Sequence, residues 1–248
     1  MDTTDQNFKY GVIFVTGILI CFSLVSMAKI VSNAAISIKQ KGTVQVKGFA
    51  TQEITSNLGI FQARIQSSNP DLKSAYDQLA INKSFVTDFL KKNNVDQAIV
   101  SWGAVNIEEK NVVNDSGHTL NQVYEYVLTQ DFKFQTSNVA QVQLLSSAIS
   151  DLMKDGVRLT TYAPVYLYTD LENLKVEMIG NATENAKKRA KIISERGKFK
   201  LGNVSQVRVG IFQITPLHST DVSDYGVNDT TTIQKEIKCV VDIDYFVR

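Results

Sequence analysis

The stretch NATENAKKRAKIISERGKFKLGNV, residues 181–204, joins a predicted helix to a predicted strand. Ala182, Ala186 and Ala190 are spaced four apart, so they lie on one face of a helix with about one turn between neighbours. Side chains this small allow a helix to lie close against a sheet or a second helix. The pattern therefore predicts a closely packed helix from about Leu171 to Arg196.

Strand and helix patterns alternate over the rest of the chain. Apolar residues recur every second position in the predicted strands and every third or fourth position in the predicted helices. Strands are predicted near 44–48, 58–65, 96–109, 121–135, 158–168, 203–214 and 235–247, and helices over 70–92, 138–156 and 171–196. The order ββαββαβαββ, with strand pairs joined by short turns, predicts an α+β fold of mixed or antiparallel sheets with about three packed helices.

Three local signals refine this outline. Asn69 is predicted to cap the first helix, with Pro70 as its first residue. Pro164 marks an edge or a bulge in the strand over 158–168, because proline lacks a backbone N–H group. The polar stretch 216–233 has no periodicity, so we expect an exposed loop that is dispensable for folding.

The N-terminal residues 10–28 form an apolar run without charge, bracketed by Lys9 and Lys29. A helix needs about 20 apolar residues to cross a bilayer. We therefore predict a cytoplasmic N-terminus over 1–9, a transmembrane anchor over 10–28, a stalk over 29–41 and an α+β domain over 42–248. A signal peptide cleaved after Ser26-Met27-Ala28 is the alternative, although its apolar core would normally be about 7–15 residues long.

The charges around the run leave its orientation open. Lys29, Lys39 and Lys41 follow it and only Lys9 precedes it, which favours a cytoplasmic C-terminal domain. Long domains are translocated largely regardless of such charges. We expect a single-pass protein of the bacterial inner membrane with its main domain in the periplasm, partly on the resemblance described below.

Composition excludes several classes of protein. The 248 residues are 44% hydrophobic and 21% charged, which is typical of a globular chain. A net charge of +1 gives no strong field for nucleic acid, and no glycine-rich phosphate-binding motif occurs. Cys21 lies in the apolar run and Cys239 is the other cysteine, so no disulfide can form within the soluble part.

Several segments carry a family resemblance. The motif Val46-Lys47-Gly48-Phe49-Ala50 opens the domain, and the alanine helix leads into Leu201-Gly202-Asn203-Val204. Leu171, Asn173, Lys175 and Met178 follow Tyr168, and Val240–Phe246 closes the chain on Asp-Tyr-Phe. Over roughly 42–248 the chain resembles the SIMPL-domain family of YggE-like bacterial envelope proteins. The resemblance implies an α+β fold, an envelope location and, in some members, large homo-oligomers, and it supplies no catalytic residue.

The residue types that carry chemistry form no convincing site. His118 and His218 fall in predicted loops without further ligands at metal-binding spacing, and Cys239 alternates with core residues. Asp242 and Asp244 share a strand face about 7 Å apart, which suits either acid–base work or a solvated face. Glu108 and Glu109 point to opposite faces. We therefore predict no catalytic residue, no cofactor and no metal site.

Two surface features allow other interpretations. The basic cluster Lys187–Lys191 is interpreted as the outer face of an amphipathic helix, with phosphates or anionic lipid as the alternative partner. Aromatic stripes at Tyr124 and Tyr126, and at Tyr162, Tyr166 and Tyr168, are interpreted as core or as anchors of an oligomer interface.

Three functions remain open at this point. The first is a non-enzymatic envelope module that self-associates as a homo-oligomer or binds other envelope proteins, with a membrane anchor and no nucleic-acid partner. The second is binding of a small ligand or lipid in a pocket between sheet and helices. The third is a hydrolase at Asp242 and Asp244.

Overall fold

A computed structural model describes residues 16–17, 19–32 and 42–247. The prediction of an α+β fold with antiparallel sheets is confirmed. The chain divides into two units. The smaller unit comprises Met1–Phe49, Ile179–Gly210 and Val240–Arg248, and the larger comprises Ala50–Met178 and Ile211–Cys239.

The described domain has more strands than the sequence predicts. The strands are β1 Thr43–Thr55, β2 Leu58–Asn69, β3 Ser101–Val113, β4 Thr119–Thr136, β5 Arg158–Thr161, β6 Val165–Leu167, β7 Leu201–Val209, β8 Gln213–Pro216 and β9 Gln234–Val247. The helices are α1 Leu72–Lys92, α2 Val139–Ala148 and α3 Leu171–Gly197, with short 3₁₀ helices at Gln97–Ile99 and Ile149–Asp155. The predicted strand over 158–168 is two strands separated around Pro164, and the predicted strand over 203–214 is also two.

The larger unit contains a five-stranded antiparallel sheet. Its order is β3-β4-β2-β5, and β6 also pairs with β2. Helices α1 and α2 supply buried side chains to the core on one face of this sheet. The fully enclosed members include Phe61, Ile65, Leu90, Leu128, Leu145 and Ile149. Each such side chain contributes about 1.5–3 kcal/mol by leaving water.

The start of α1 differs from the prediction. Asp71, not Asn69, is the N-cap, and its carboxylate accepts the Ser74 N–H at 2.8 Å. The Asn69 side chain accepts the Asp71 N–H instead, and Pro70 precedes the cap. The cap must directly precede the first helical residue, which is Leu72, so the proline signal placed the start too early.

The loop over 216–233 is only partly the exposed segment expected. Tyr225 is 97% exposed. Beyond it, Ser56 donates its N–H to the Ile233 carbonyl and Tyr166 donates to Thr230, both at 2.8 Å. The expectation of an exposed loop is therefore wrong for 227–233, because backbone hydrogen bonds leave no periodic signal in a sequence. That the loop is dispensable for folding stays a prediction.

The smaller unit places the alanine stripe where the sequence predicts a close contact. Within it β9 lies between β1 and β7. Ala182, Ala186 and Ala190 are completely buried. A Cβ on Gly48 would lie 2.1 Å from the Ala182 carbonyl oxygen, so the helix rests directly on the strand backbone. Helix α3 ends at Gly197, and the left-handed residue after it is Lys198.

The N-terminal segment is helical over its described residues, 16–17 and 19–32. Its apolar side chains are exposed, including Phe22 at 73%. Within the described ranges, no helix has the length and apolarity that crossing a membrane requires. Residues 1–15 and 18, which include much of the predicted anchor, and 33–41 of the predicted stalk lie outside those ranges, so the anchor stays a prediction.

Candidate functional site

The β1 edge of the smaller unit is closed by side chains of α3. The Phe49 N–H donates to Asn185 Oδ1 at 3.3 Å, and the Arg189 guanidinium donates to the Lys47 carbonyl at 3.1 Å. The same guanidinium lies 4.6 Å from the centre of the Phe49 ring. Asn185 and Arg189 are four residues apart, so one face of the helix reaches both backbone groups. The edge therefore has its donor and acceptor satisfied at these positions.

The opposite edge, formed by β7, is open. Gly210 donates its N–H to Val240 at 2.8 Å, and Arg208 and Gln206 lie opposite Asp242 and Asp244 in the same register. In an antiparallel ladder the alternate residues face away from the partner strand. The backbone groups of Val207 and Val209 therefore point outward, and no described residue bonds to them.

The side chains along this edge are apolar. Val204, Val207 and Val209 are 49%, 51% and 48% exposed. Val207 lies opposite Ile243 and Val209 opposite Val241, two fully or nearly buried residues of β9. The buried apolar row of the sheet thus continues to its edge and is left half covered there. An edge with free backbone groups and apolar side chains is a template for a further strand.

The two aspartates of β9 do not act as a pair. Asp244 binds Arg208 at 3.1 Å, and Asp242 lies 3.9 Å from Lys47. Each carboxylate is matched to its own cation on a neighbouring strand, and both side chains are about four-fifths covered. The sequence allowed either acid–base work or a solvated strand face, and the structure instead places both carboxylates on a largely covered face.

The remaining predicted candidates are dispersed. His118 is exposed in the β3–β4 turn, where its backbone N–H donates to Asn114, and His218 has a left-handed backbone. Cys239 is completely buried, and burial raises the pKa of its thiol, as expected of a core residue. Over the described part of the chain, no three potential ligand residues of the His, Cys, Asp and Glu types cluster together.

The structure also locates the basic cluster Lys187–Lys191 and the tyrosines of the predicted strand over 158–168. Lys188 pairs with Glu184 at 3.0 Å on the exposed side of α3, which confirms the interpretation as an outer helix face. Tyr162, Tyr166 and Tyr168 do not form one stripe, because the strand is interrupted at Pro164. Tyr166 is buried and Tyr162 is exposed.

A comparison with family models places the chain in a known family. A family model described as SIMPL, a protein of unknown function (DUF541), matches residues 44–242. The chain belongs to the SIMPL family. This confirms the resemblance carried by the Val46–Ala50 motif and the alanine helix. The family match covers all of the larger unit and part of the smaller unit.

Other comparisons add little to the SIMPL assignment. No protein of curated function is detectably similar to this SIMPL chain in sequence. One solved structure, an amidase of the hydantoinase/carbamoylase family from Burkholderia phymatum, aligns with 15% identity and a TM-score of 0.29. The alignment covers 49% of this chain and 32% of the amidase, so it carries no argument about activity.

Sequence patterns did not reveal the open β7 edge. The alternation over 203–214 predicted a strand, but the exposure of Val207 and Val209 depends on which strands pair. That pairing joins residues about 35 positions apart, as between Val207 and Ile243. In the sequence, the only pointer to this edge was the valine-rich strand over 203–214, which follows the alanine helix.

Proposed function

We propose that this SIMPL protein is a non-enzymatic, membrane-anchored module of the bacterial envelope that self-associates, or binds other envelope proteins, by strand addition at β7. The open edge at Val207 and Val209 is the observation that carries the proposal. Its counterpart at Lys47 and Phe49 is closed by Asn185 and Arg189. The contrast supports a role for β7 in recognition.

The energetics favour strand addition at this edge. A new strand would satisfy the outward N–H and C=O groups of Val207 and Val209. It would also cover the exposed halves of Val204, Val207 and Val209, worth roughly 1 kcal/mol for each valine. Main-chain hydrogen bonds then supply affinity, and the valine row selects a partner with apolar side chains at alternate positions.

The apolar N-terminal run supports the anchoring part of the proposal. The helical residues 19–32 expose Phe22, Leu24 and Ile30, side chains that are stable in a lipid environment. The test is fractionation of cells that produce the full-length chain. We expect the protein in the membrane fraction after alkaline extraction, with the domain digested by protease added from the periplasmic side. Release of the chain by alkali would reject the predicted membrane anchor. Protection of the domain from that protease would reject the predicted periplasmic orientation.

The association is tested on the full-length chain in detergent by analytical ultracentrifugation. We expect wild type to form a dimer or larger species, or to co-purify with an envelope protein. Val207→Lys should abolish this, because a charged edge residue opposes strand addition. Val176→Lys is the control, since Val176 is 72% exposed on α3. A strictly monomeric wild type without a partner, or association unchanged by Val207→Lys, would reject the proposal.

The ligand-binding alternative receives less support. The space between the five-stranded sheet and the helices is filled by Phe61, Leu90, Leu128 and Leu145, all with at most 2% exposure. A lipid there would have to displace this core. Two of the grooves in the described part of the chain are lined instead by strand residues of the sheet, and one of these also by Met153 and Gly156.

A further inference from the structure

The outer face of the five-stranded sheet is a regular grid of polar side chains. Residues 62, 64 and 66 of β2 alternate with core residues, so their side chains point away from α1 and α2. Their neighbours on β4 and β5 form three rows. The rows are Thr129–Gln66–Arg158, Asp131–Arg64–Thr160 and Lys133–Gln62–Tyr162. We call this surface the polar platform.

The middle row is internally neutral. Arg64 Nε donates to Asp131 Oδ1 at 2.7 Å, and Arg64 Nη2 of the same guanidinium donates to Asp131 Oδ2 at 3.0 Å. The hydrogen bond from Arg64, reinforced by its charge, lowers the pKa of Asp131. The guanidinium also lies 5.9 Å from the centre of the Tyr162 ring. This pair divides the polar platform into two halves without adding net charge.

Each half contains an open groove with one cation that no carboxylate balances. One groove, of about 340 Å³, is lined by Gln62, Ser101, Asp131 and Lys133 among others. The second, of about 360 Å³, is lined by Gln66, Arg158 and Thr160 on its polar side and by Met153, Val157 and Leu159 on its apolar side. Asp131 is committed to Arg64, and no described carboxylate pairs with Lys133 or Arg158. Both volumes lie at the lower end of the range for small-ligand sites.

The two grooves present the same kinds of polar group. Each offers an amide from glutamine, a hydroxyl and a single cation. Lys133 and Arg158 are four residues apart along the strands and two strands apart across them, which places their Cα atoms about 16 Å from each other. A matching ligand is hydroxyl-rich and carries acidic groups at intervals along an extended chain.

We propose that the polar platform binds a linear acidic polysaccharide, with its carboxylates at Lys133 and Arg158 and its hydroxyls at Gln62, Gln66 and Thr160. Charge complementarity selects the acidic groups. The neutral middle row and the side-chain amides favour hydroxyls over the closely spaced phosphates of nucleic acid. A lipid surface is disfavoured because none of the side chains in the three rows is aliphatic. The polar platform shares no residue with the β7 edge, and this inference does not depend on self-association.

The test is isothermal titration of the full-length chain in detergent with polygalacturonate as the probe. Dextran serves as the neutral polysaccharide, and single-stranded DNA as the phosphate polymer. We expect wild type to bind polygalacturonate more tightly than DNA and not to bind dextran. Lys133→Gln and Arg158→Gln should each weaken binding about tenfold, the loss of one charge-assisted hydrogen bond. Lys133→Arg should restore most of it.

Two controls sharpen the result. Lys73→Gln removes an exposed charge from α1, away from the polar platform, and should bind like wild type. Val207→Lys should also bind like wild type, which separates this inference from the strand-addition proposal. Absence of polygalacturonate binding, equal or tighter binding of DNA, or no loss in the Lys133→Gln/Arg158→Gln double variant would overturn the inference. Circular dichroism confirms that each variant is folded.

Discussion

The Lys235 ammonium lies 3.0 Å from Asp229 Oδ2, and the two side chains are only 2% and 6% exposed. Asp229 belongs to the segment that the sequence suggests is an exposed loop, and Lys235 is the second residue of β9. Backbone and hydroxyl groups of Thr231 and Thr232 donate to the same carboxylate. Burial alone would raise the pKa of Asp229, but these donors and Lys235 outweigh it and hold the pKa well below its ordinary value.

The first prediction follows from this pair. Asp229→Asn leaves the Lys235 ammonium buried without a counter-charge, and removing one member of such a pair costs about 3–5 kcal/mol. Asp131→Asn breaks the Arg64 ion pair, whose members are 40% and 34% exposed, and should cost no more than about 1 kcal/mol. Chemical denaturation measures both free energies of unfolding. Equal losses for the two variants would show that burial does not set the strength of the Asp229 pair.

The second prediction concerns pH. The pKa of Asp229 is lower in the folded than in the unfolded chain, so its contribution is present above the ordinary carboxylate pKa, about 4, and is lost as the pH falls towards the folded value. Wild type should therefore lose stability as the pH is lowered below about 4. Asp229→Asn should show a flatter profile over that range. Parallel melting-temperature profiles for the two proteins would contradict this.

The third prediction tests the close approach of α3 to β1. Gly48→Ala places a methyl group against the backbone of Ala182 and Ala186, which cannot move aside as a flexible side chain can. We expect a loss of about 1–3 kcal/mol or more. Gly42→Ala is the matched control, because a Cβ there meets nothing within 4 Å. The measurement is urea denaturation, and similar midpoints for the two variants would disprove the contact.

The fourth prediction approaches the same contact from the helix. Ala186→Leu adds a branched side chain at a completely buried position and should destabilise the protein by about 1–3 kcal/mol. Lys187→Leu, one residue along and on the exposed side, should be nearly silent. Thermal unfolding compares them. If Ala186→Leu were as stable as Lys187→Leu, the alanine face could not be packed on the strand.

The sequence predicts periodic elements well. The alanine stripe of α3 is buried as expected, and α2 buries Val142 and Leu145 behind the predicted Asn138 cap. The alternation of apolar and polar residues correctly predicted the positions of most of the strands. These features depend on neighbours within a few residues, so a local pattern is enough to reveal them.

Features set by distant pairing are harder to predict. The packing of 227–233 depends on Ser56 and Tyr166, which are far away in the chain. The open edge at Val207 and the polar platform around Arg64 both depend on strand order and register. Polar residues at alternate positions of β2 indicate an outward face, but only the register shows that Lys133 and Arg158 serve matching grooves.

The closed β1 edge would make strand addition self-limiting. A sheet with two free margins can recruit copy after copy in a head-to-tail filament. Here Asn185 and Arg189 cover the β1 edge. Two copies that pair β7 with β7 about a two-fold axis would therefore leave no open edge on this sheet for a third copy. The product is a closed, symmetric pair. Assemblies beyond two copies would require a contact elsewhere, for example at the edge strand β3 of the five-stranded sheet.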